Sequence, residues 1–298
     1  MNSNQTNRFI RGYRIFRVAL HILRGLLTAA LFFPLVDKPR RSVAIRRWSA
    51  RLVKLLNVRV TVRGPIPNFP GQGVMLVANH VSWLDVYLID SICPAHFIAK
   101  SEMQSWPVFG WFAEKIGTLF IERTKRRDTA RINRHLADLL RQGDYIALFP
   151  EGTTSNGAQV RAFHGSLIQP AVDSNAMLCP VGIRYLNADG SINFAPAYID
   201  DMSLWVSLQQ VVSQKTLYVE MIFTPAIPTQ GRHRRELAAQ AHEAILAAVF
   251  PEMTHMAPEK SADLPDALRT DVHPKDSHYQ APLNSPALAS QALTNAQK

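Results

Sequence analysis

The sequence predicts an α/β fold, a mixed, largely parallel sheet flanked by helices, preceded by an N-terminal amphipathic helical hairpin suited to membrane association. Three observations predict it. Short β-branched runs alternate with helical stretches from residue 58 to residue 249, the texture of strand–helix–strand units. Basic residues punctuate an apolar amino-terminal segment at helical spacing. The 298 residues, 47% apolar and 19% charged, suffice for a full core and exclude a wholly disordered, collagen-like or disulfide-stapled chain.

From Phe9 to Val36 the chain is apolar but interrupted at Arg11, Arg14, Arg17, His21 and Arg24, whose spacing of three or four keeps them on one side of a helix. The uncharged run Gly25 to Val36 is twelve residues, short of the ~18 that mark a confident membrane crossing, and Pro34 closes it. A full crossing is therefore strained. Basic residues on both flanks give no preferred direction of crossing. Arg40 to Leu56 repeats the design, with Arg40, Arg47, Arg51 and Lys54 on one face and Ile45, Trp48, Leu52, Leu55 and Leu56 near the other.

The charge follows the same division. Up to Arg63 there are 14 Lys/Arg and one acid, Asp37, whereas the remainder holds 19 bases and 22 acids. The net +10 thus belongs to one end. Two such helices suit the surface of a bilayer with anionic lipids, each basic residue contributing about 1 kcal/mol there. The alternative is that the helices pack on the protein's own core and the arginines form a solvated face. Nucleic acid is not expected as a partner, because zinc-finger and RNP-type signatures are absent and the bases alternate with Leu and Phe. Leu35-Val36-Asp37-Lys38-Pro39 is no signal-peptide cleavage site.

The strands expected are Val58 to Val62 before Gly64-Pro65 and, after it, Val74 to Ala78, His96 to Ala99, Thr118 to Ile121, Tyr145 to Phe149, Leu178 to Tyr185 and Leu217 to Phe223. Trp83 to Ser91, Val108 to Ile116, Asp128 to Arg141, Ser166 to Asp173 and Arg232 to Val249 are expected as helices. The organisation is then residues 1–63 as basic membrane-associating helices, 64–251 as an α/β domain and 252–298 as a disordered tail rich in Ala, Pro, Ser and Asp. Cys93 and Cys179 have no CxxC partner or metal spacing, and are expected as reduced thiols of a cytoplasmic protein with no metal site.

Sheets of this class place their chemistry at the carboxyl ends of strands. There Val74-Met75-Leu76-Val77-Ala78-Asn79-His80-Val81-Ser82-Trp83-Leu84-Asp85 delivers His80 after a buried strand and Asp85 in the first turn of the next helix. An imidazole, with an unperturbed pKa of about 6.5, accepts a proton near neutral pH, and a carboxylate on its other nitrogen fixes the tautomer. Ser82 to Asp85 equally fits an S-x-x-D helix cap, which makes Asp85 structural. There is no G-x-S-x-G elbow and no cysteine beside His80, so a hydroxyl activated by His80 comes from the substrate.

Two further strand ends carry candidate ligands. Phe149-Pro150-Glu151-Gly152-Thr153-Thr154-Ser155 is a loop in which Gly152 permits close backbone approach, and successive amides with Thr153, Thr154 and Ser155 can donate to phosphate oxygens; a plain turn explains it equally. It lacks the Walker A lysine. Gly117 to Thr124 is a strand ending in Arg123, whose fork suits a phosphate, although Lys125, Arg126 and Arg127 behind it fit a solvated basic loop. Cys179-Pro180-Val181-Gly182 suits the wall of an acyl pocket or simple core packing.

Taken in order, His80 to Asp85, Gly117 to Arg123, Phe149 to Ser155 and Leu178 to Val181 resemble the four blocks of the glycerolipid acyltransferase family that includes bacterial 1-acylglycerol-3-phosphate acyltransferase. The resemblance spans about Val74 to Tyr185. It implies that His80 and Asp85 are the catalytic pair, that Arg123, Glu151 and Gly152 bind the phosphate end of the acceptor, and that the amino-terminal hairpin lies in the membrane. The expected reaction moves a fatty acyl group from acyl-CoA or acyl carrier protein, as donor substrate rather than bound cofactor, to the hydroxyl of lysophosphatidate, giving phosphatidate for phospholipid synthesis. The expected place is the cytoplasmic face of the inner membrane, monotopic or peripheral. Two departures bear on the headgroup: Thr154 stands where many members have arginine, and Phe163-His164-Gly165 where a lysine before the glycine is common. Lyso-ornithine lipid or another lysophospholipid is the alternative acceptor, and lipid hydrolysis the alternative reaction.

Overall fold

The computed structural model describes residues 5–121 and 126–254. Eight strands form one mixed sheet: β1 (Val58–Arg63), β2 (Val74–Ala78), β3 (His96–Lys100), β4 (Leu119–Ile121), β5 (Tyr145–Leu148), β6 (Met177–Leu186), β7 (Leu217–Phe223) and β8 (Ile227–Pro228). Their order is β1-β7-β6-β2-β5-β3-β4, with β8 on β6. All pairs are parallel except β6 with β7 and β6 with β8. All seven expected strands are present, and β2 and β7 match to the residue.

Burial on both faces of β2 explains its unbroken apolar run. Val74, Leu76 and Ala78 join a core with helices α2 (Lys38–Leu55), α3 (Leu84–Ile92) and α7 (Leu204–Ser213). Met75 and Val77 join the opposite core with α5 (Arg126–Arg141), α6 (Gln169–Ser174) and α8 (Arg234–Val249). Helices therefore cover both sides of the sheet, and α4 (Phe109–Lys115) leads into β4.

Three elements differ from the sequence expectation. The sheet incorporates β1 as an edge strand, paired Val58 to Leu217 through Arg63 to Ile222, so the basic arm ends near Asn57 rather than Arg63. Helix α7, capped by the Ser203 hydroxyl on the Val206 amide, fills a connection in which the sequence predicted nothing. A short helix, α9 (Pro251–Thr254), carries the fold past the expected boundary at Glu252, and the remainder of the proposed tail lies outside the described residues.

At the amino terminus α1 (Arg8–Leu27) continues as a π turn and a 3-10 turn to Leu35. The span Arg8–Leu35, 28 residues, is long and apolar enough to cross a membrane, which the twelve-residue uncharged run alone did not suggest. One side of it is docked on the domain. Arg14 donates to the carbonyls of Val212, Gln214 and Lys215 at the carboxyl end of α7. Arg11 reaches the Thr6 carbonyl, and His21 Nε2 meets the Trp48 carbonyl at 3.0 Å while Trp48 Nε1 donates to the His21 carbonyl at 3.1 Å. The His21 and Trp48 rings stack 4.8 Å apart. Gly25 permits this, since a Cβ there would lie 2.4 Å from Trp48 Nε1.

Those contacts revise the expected orientation. Arg11, Arg14 and His21 serve the protein instead of facing headgroups, because helix-end carbonyls and the α1–α2 contact require donors. The outward side presents Phe9, Tyr13, Phe16, Leu20, Leu23, Leu27, Leu31 and Leu35, exposed by 51% to 86%.

Beneath the hairpin, Asp90 of α3 is buried in the wall of a small cavity with Trp48, Ser49 and Tyr87. Burial pushes its carboxyl up to about 8, opposed by a hydrogen bond from the Ala95 amide. An unfolded aspartate titrates near ~3.9, so between there and about 8 the folded state holds a proton that the unfolded chain has released. Stability therefore falls as pH rises through that window. Asp90→Asn should flatten the decline and melt above wild type at about pH 9; thermal melts across pH check this, and an unaltered slope refutes it.

Candidate active site

Three neighbouring strands, β5, β2 and β6, run parallel; β5 and β2 end together beside the middle of β6, which continues from Val181 to Leu186. Asn79 extends the β2–β6 ladder past the last strand residue: its side chain accepts from the Ile183 amide at 2.7 Å and donates to the Ile183 carbonyl at 2.9 Å. The chain then turns, placing His80 at the strand end and Asp85 in the first turn of α3.

His80 Nδ1 lies 2.8 Å from Asp85 Oδ2. The same oxygen accepts from the amides of Val81 at 2.8 Å and Ser82 at 2.9 Å, and Oδ1 accepts from the Tyr185 hydroxyl at 2.6 Å. Both readings of the Ser82–Asp85 stretch hold at once: the carboxylate ties down its own helix entrance and also engages the imidazole. Because Asp85 is surrounded by donors, it accepts from Nδ1–H, which leaves Nε2 as the basic nitrogen. The His80 side chain is 19% exposed and that of Asp85 is 0% exposed. Phe149 stacks on the imidazole at 3.8 Å with planes 7° apart, fixing the ring's second direction. Among the described residues, only Asp85 hydrogen bonds to the ring of His80.

Glu151 is buried beside this pair, and its two oxygens accept from backbone amides, Oε1 from His80 at 2.7 Å and Oε2 from Arg161 at 2.9 Å. Burial pushes its carboxyl above the usual range, against the pull of those two hydrogen bonds. The Ser155 amide closes the arrangement by donating to the His80 carbonyl at 2.8 Å. Glu151 thus fastens the loop after β5 to the His80 turn, with both carboxylate oxygens engaged by the protein's own backbone.

The loop is more committed than the sequence suggested. The Thr154 hydroxyl donates to the Tyr198 carbonyl, and the Gly152 amide to the Phe149 carbonyl at 3.1 Å, so neither is the open phosphate donor expected. Gly152 does adopt a φ of 76°, the left-handed conformation that favours glycine. Thr153 is exposed, and its hydroxyl and amide bond to no described residue. His164 sits against the loop through its amide on the Pro150 carbonyl, 2.9 Å away. Arg123 lies outside the described residues. Cys93 and Cys179 are free and buried, and burial raises their thiols to about 11 and about 12. Sequence reasoning missed Asn79 and Tyr185; the asparagine beside His80 was visible, whereas Tyr185 required knowledge that β6 adjoins β2.

Fold and site together define a class, an α/β protein with a histidine–aspartate pair at the carboxyl edge of a mixed sheet. A family model described as Acyltransferase matches residues 57–184. The chain is 40% identical over 212 residues to lyso-ornithine lipid O-acyltransferase of Pseudomonas aeruginosa, covering 71% of this chain and 80% of that one. It is 33% identical over 256 residues to 1-acyl-sn-glycerol-3-phosphate acyltransferase of Neisseria meningitidis serogroup B, covering 84% and 97%. The crystal structure of PlsC, the 1-acyl-sn-glycerophosphate acyltransferase of Thermotoga maritima, shares the fold with a TM-score of 0.57 at 21% identity, covering 81% of this chain and 98% of that one. The chain belongs to the acyltransferase family.

Glu151→Gln replaces one acceptor oxygen with an NH2 that confronts an amide donor. Urea unfolding should show a loss of about 1–3 kcal/mol, and turnover should fall with it. Unchanged stability would mean that the carboxylate does not hold the two loops.

Proposed function

We propose that this protein is a membrane-surface O-acyltransferase that moves a fatty acyl group from acyl-CoA or acyl carrier protein to the free hydroxyl of lysophosphatidate, giving phosphatidate. The observation that carries the reading is the 2.8 Å contact of His80 Nδ1 with Asp85 Oδ2, which leaves Nε2 without a protein partner among the described residues. Nε2 takes the proton of the acceptor hydroxyl, and the oxygen attacks the thioester carbon. A C–O bond forms, the tetrahedral oxyanion collapses, the C–S bond breaks, and the departing thiolate recovers the proton from His80. With a solution pKa near ~8.5 the thiolate leaves readily. The exposed loop amide of Thr153 is a candidate donor to the oxyanion or to the acceptor.

Membrane association fits the outward apolar row of α1 and the basic residues that flank it. The cytoplasmic face of the inner membrane is the side on which thioester donors are made, and we assign the protein there as monotopic or peripheral. A hydrolase working through a covalent acyl-enzyme is disfavoured because the sequence has no G-x-S-x-G elbow and both cysteines are buried. A specific observation supports lyso-ornithine lipid as the second acceptor. Thr154 stands where many members carry arginine, and its hydroxyl is spent on the Tyr198 carbonyl, so the loop offers less to a phosphate.

His80→Ala should lower acyl transfer by about two to four powers of ten while flotation with anionic vesicles is unchanged; mass detection of the acylated lipid measures it, and wild-type turnover would remove the base assignment. In this reading Arg123 clamps phosphate. Arg123→Ala should then raise KM for lysophosphatidate far more than for lyso-ornithine lipid, in a panel assay with both thioester carriers. Equal effects on the two acceptors would withdraw the clamp.

A further inference from the structure

Asp85 is deeply buried, and a carboxylate there depends on the donors around it. Three of its four donors come from its own turn: His80, Val81 and Ser82. The fourth comes from a different strand. Tyr185, 100 residues away in sequence and near the end of β6, brings a buried hydroxyl 2.6 Å from Oδ1. That oxygen has no other hydrogen bond to a described residue. Val181, Ile183 and Tyr185 alternate onto the α3 side of the sheet, and the Asn79–Ile183 hydrogen bonds fix the height of this part of β6 against the His80 turn.

We infer that Tyr185 is a positioning residue for acyl transfer: its hydroxyl donates to Asp85 Oδ1 and so sets both the orientation and the basicity of the carboxylate that steers His80. The inference rests on the reading of His80 as the general base. The phenol suits the role because burial and the Asp85 charge push its own ionisation well above the usual 10, so it stays a donor across the working pH range. The titratable groups facing the pair are few. Glu151 reaches it from the loop after β5 but is tied to two amides, and Arg184, next to Tyr185 on β6, is paired with Glu220.

The consequence has a sign. Acyl transfer needs neutral His80 and ionised Asp85, the deprotonated form of the pair, and a donor on Oδ1 stabilises that form. Tyr185→Phe removes the donor and leaves the ring in place. A proton is then held more tightly by the pair, whichever member carries it. The acidic limb of the kcat–pH profile should move up by about one to two pH units, the worth of a hydrogen bond to a charged group, with KM for acceptor and donor little changed.

Replacing Tyr185 by a fluorinated tyrosine, whose phenol is more acidic and a stronger donor, should move the same limb down at nearly constant shape. The full-length protein in vesicles of stated anionic lipid content is the material for both assays. Opposite displacements in the two variants support the inference. An unmoved limb in the fluorinated variant overturns it, and so does lowered activity in Tyr185→Phe without a displaced limb, which is the mark of a packing role. If Tyr185→Phe does not fold, the fluorinated variant decides alone. Failure of the His80 reading is separately visible, because His80→Ala would then retain turnover.

Discussion

A buried carboxylate with four hydrogen-bond donors is the constraint on which the site depends. Taking a charge out of water costs several kcal/mol unless the protein supplies what water did, and Asp85 recovers it from two amides, an imidazole and a phenol. Each of those donors must be where it is for the others to be satisfied. The two amides fix the turn between β2 and α3, the imidazole is thereby oriented, and the phenol requires β6 to lie beside β2. Local turn, side-chain pair and sheet order are bound into one arrangement.

The sheet makes this arrangement available. Parallel pairing of β2 with β5 on one side and β6 on the other brings the carboxyl ends of β2 and β5 together beside the longer β6, and three polar links then stitch across the gaps beyond β2 and β5. Asn79 joins the His80 turn to β6, Glu151 joins it to the loop after β5, and the Ser155 amide returns to the His80 carbonyl. Phe149 adds an apolar face against the imidazole. A histidine held by a carboxylate at one nitrogen and by a ring across its plane keeps little rotational freedom, a geometry suited to accepting a proton from a positioned hydroxyl.

Local chemistry was legible in the sequence and partnership across strands was not. His80 and Asp85 lie five residues apart at a strand-to-helix junction, so alternation and capping rules reach both. Gly152 follows a strand in the same way, whereas Glu151 was singled out only through the resemblance of its loop to a family block. Tyr185 and Thr154 depend on which strands and loops become neighbours: the pattern of residues 178 to 185 foretold a strand, but its place beside β2 is a property of the whole sheet. Helix α7 escaped because its Val and Ser residues weaken the helical signal that its Ser203 cap provides. The short strand β1 was foreseen and assigned to the wrong unit, since an alternating run next to a basic helix gives no hint of pairing with residues 217–222.

The amino-terminal helix illustrates the same limit. Spacing identified one polar side of α1 and one apolar side, and the expectation sent the polar side to lipid headgroups. The structure turns much of that polar side inward, because the carbonyls at the end of α7 and the Trp48 carbonyl are groups that only donors can satisfy. An ordinary surface helix of a water-soluble protein buries its apolar stripe. Here the stripe faces out, and leaving eight large apolar side chains in water forfeits on the order of 10 kcal/mol that lipid contact would recover. The reversed orientation is therefore intelligible when the second solvent of this helix is an acyl-chain boundary. Such a boundary would complete the stability of the hairpin, since the polar side is already satisfied by the domain.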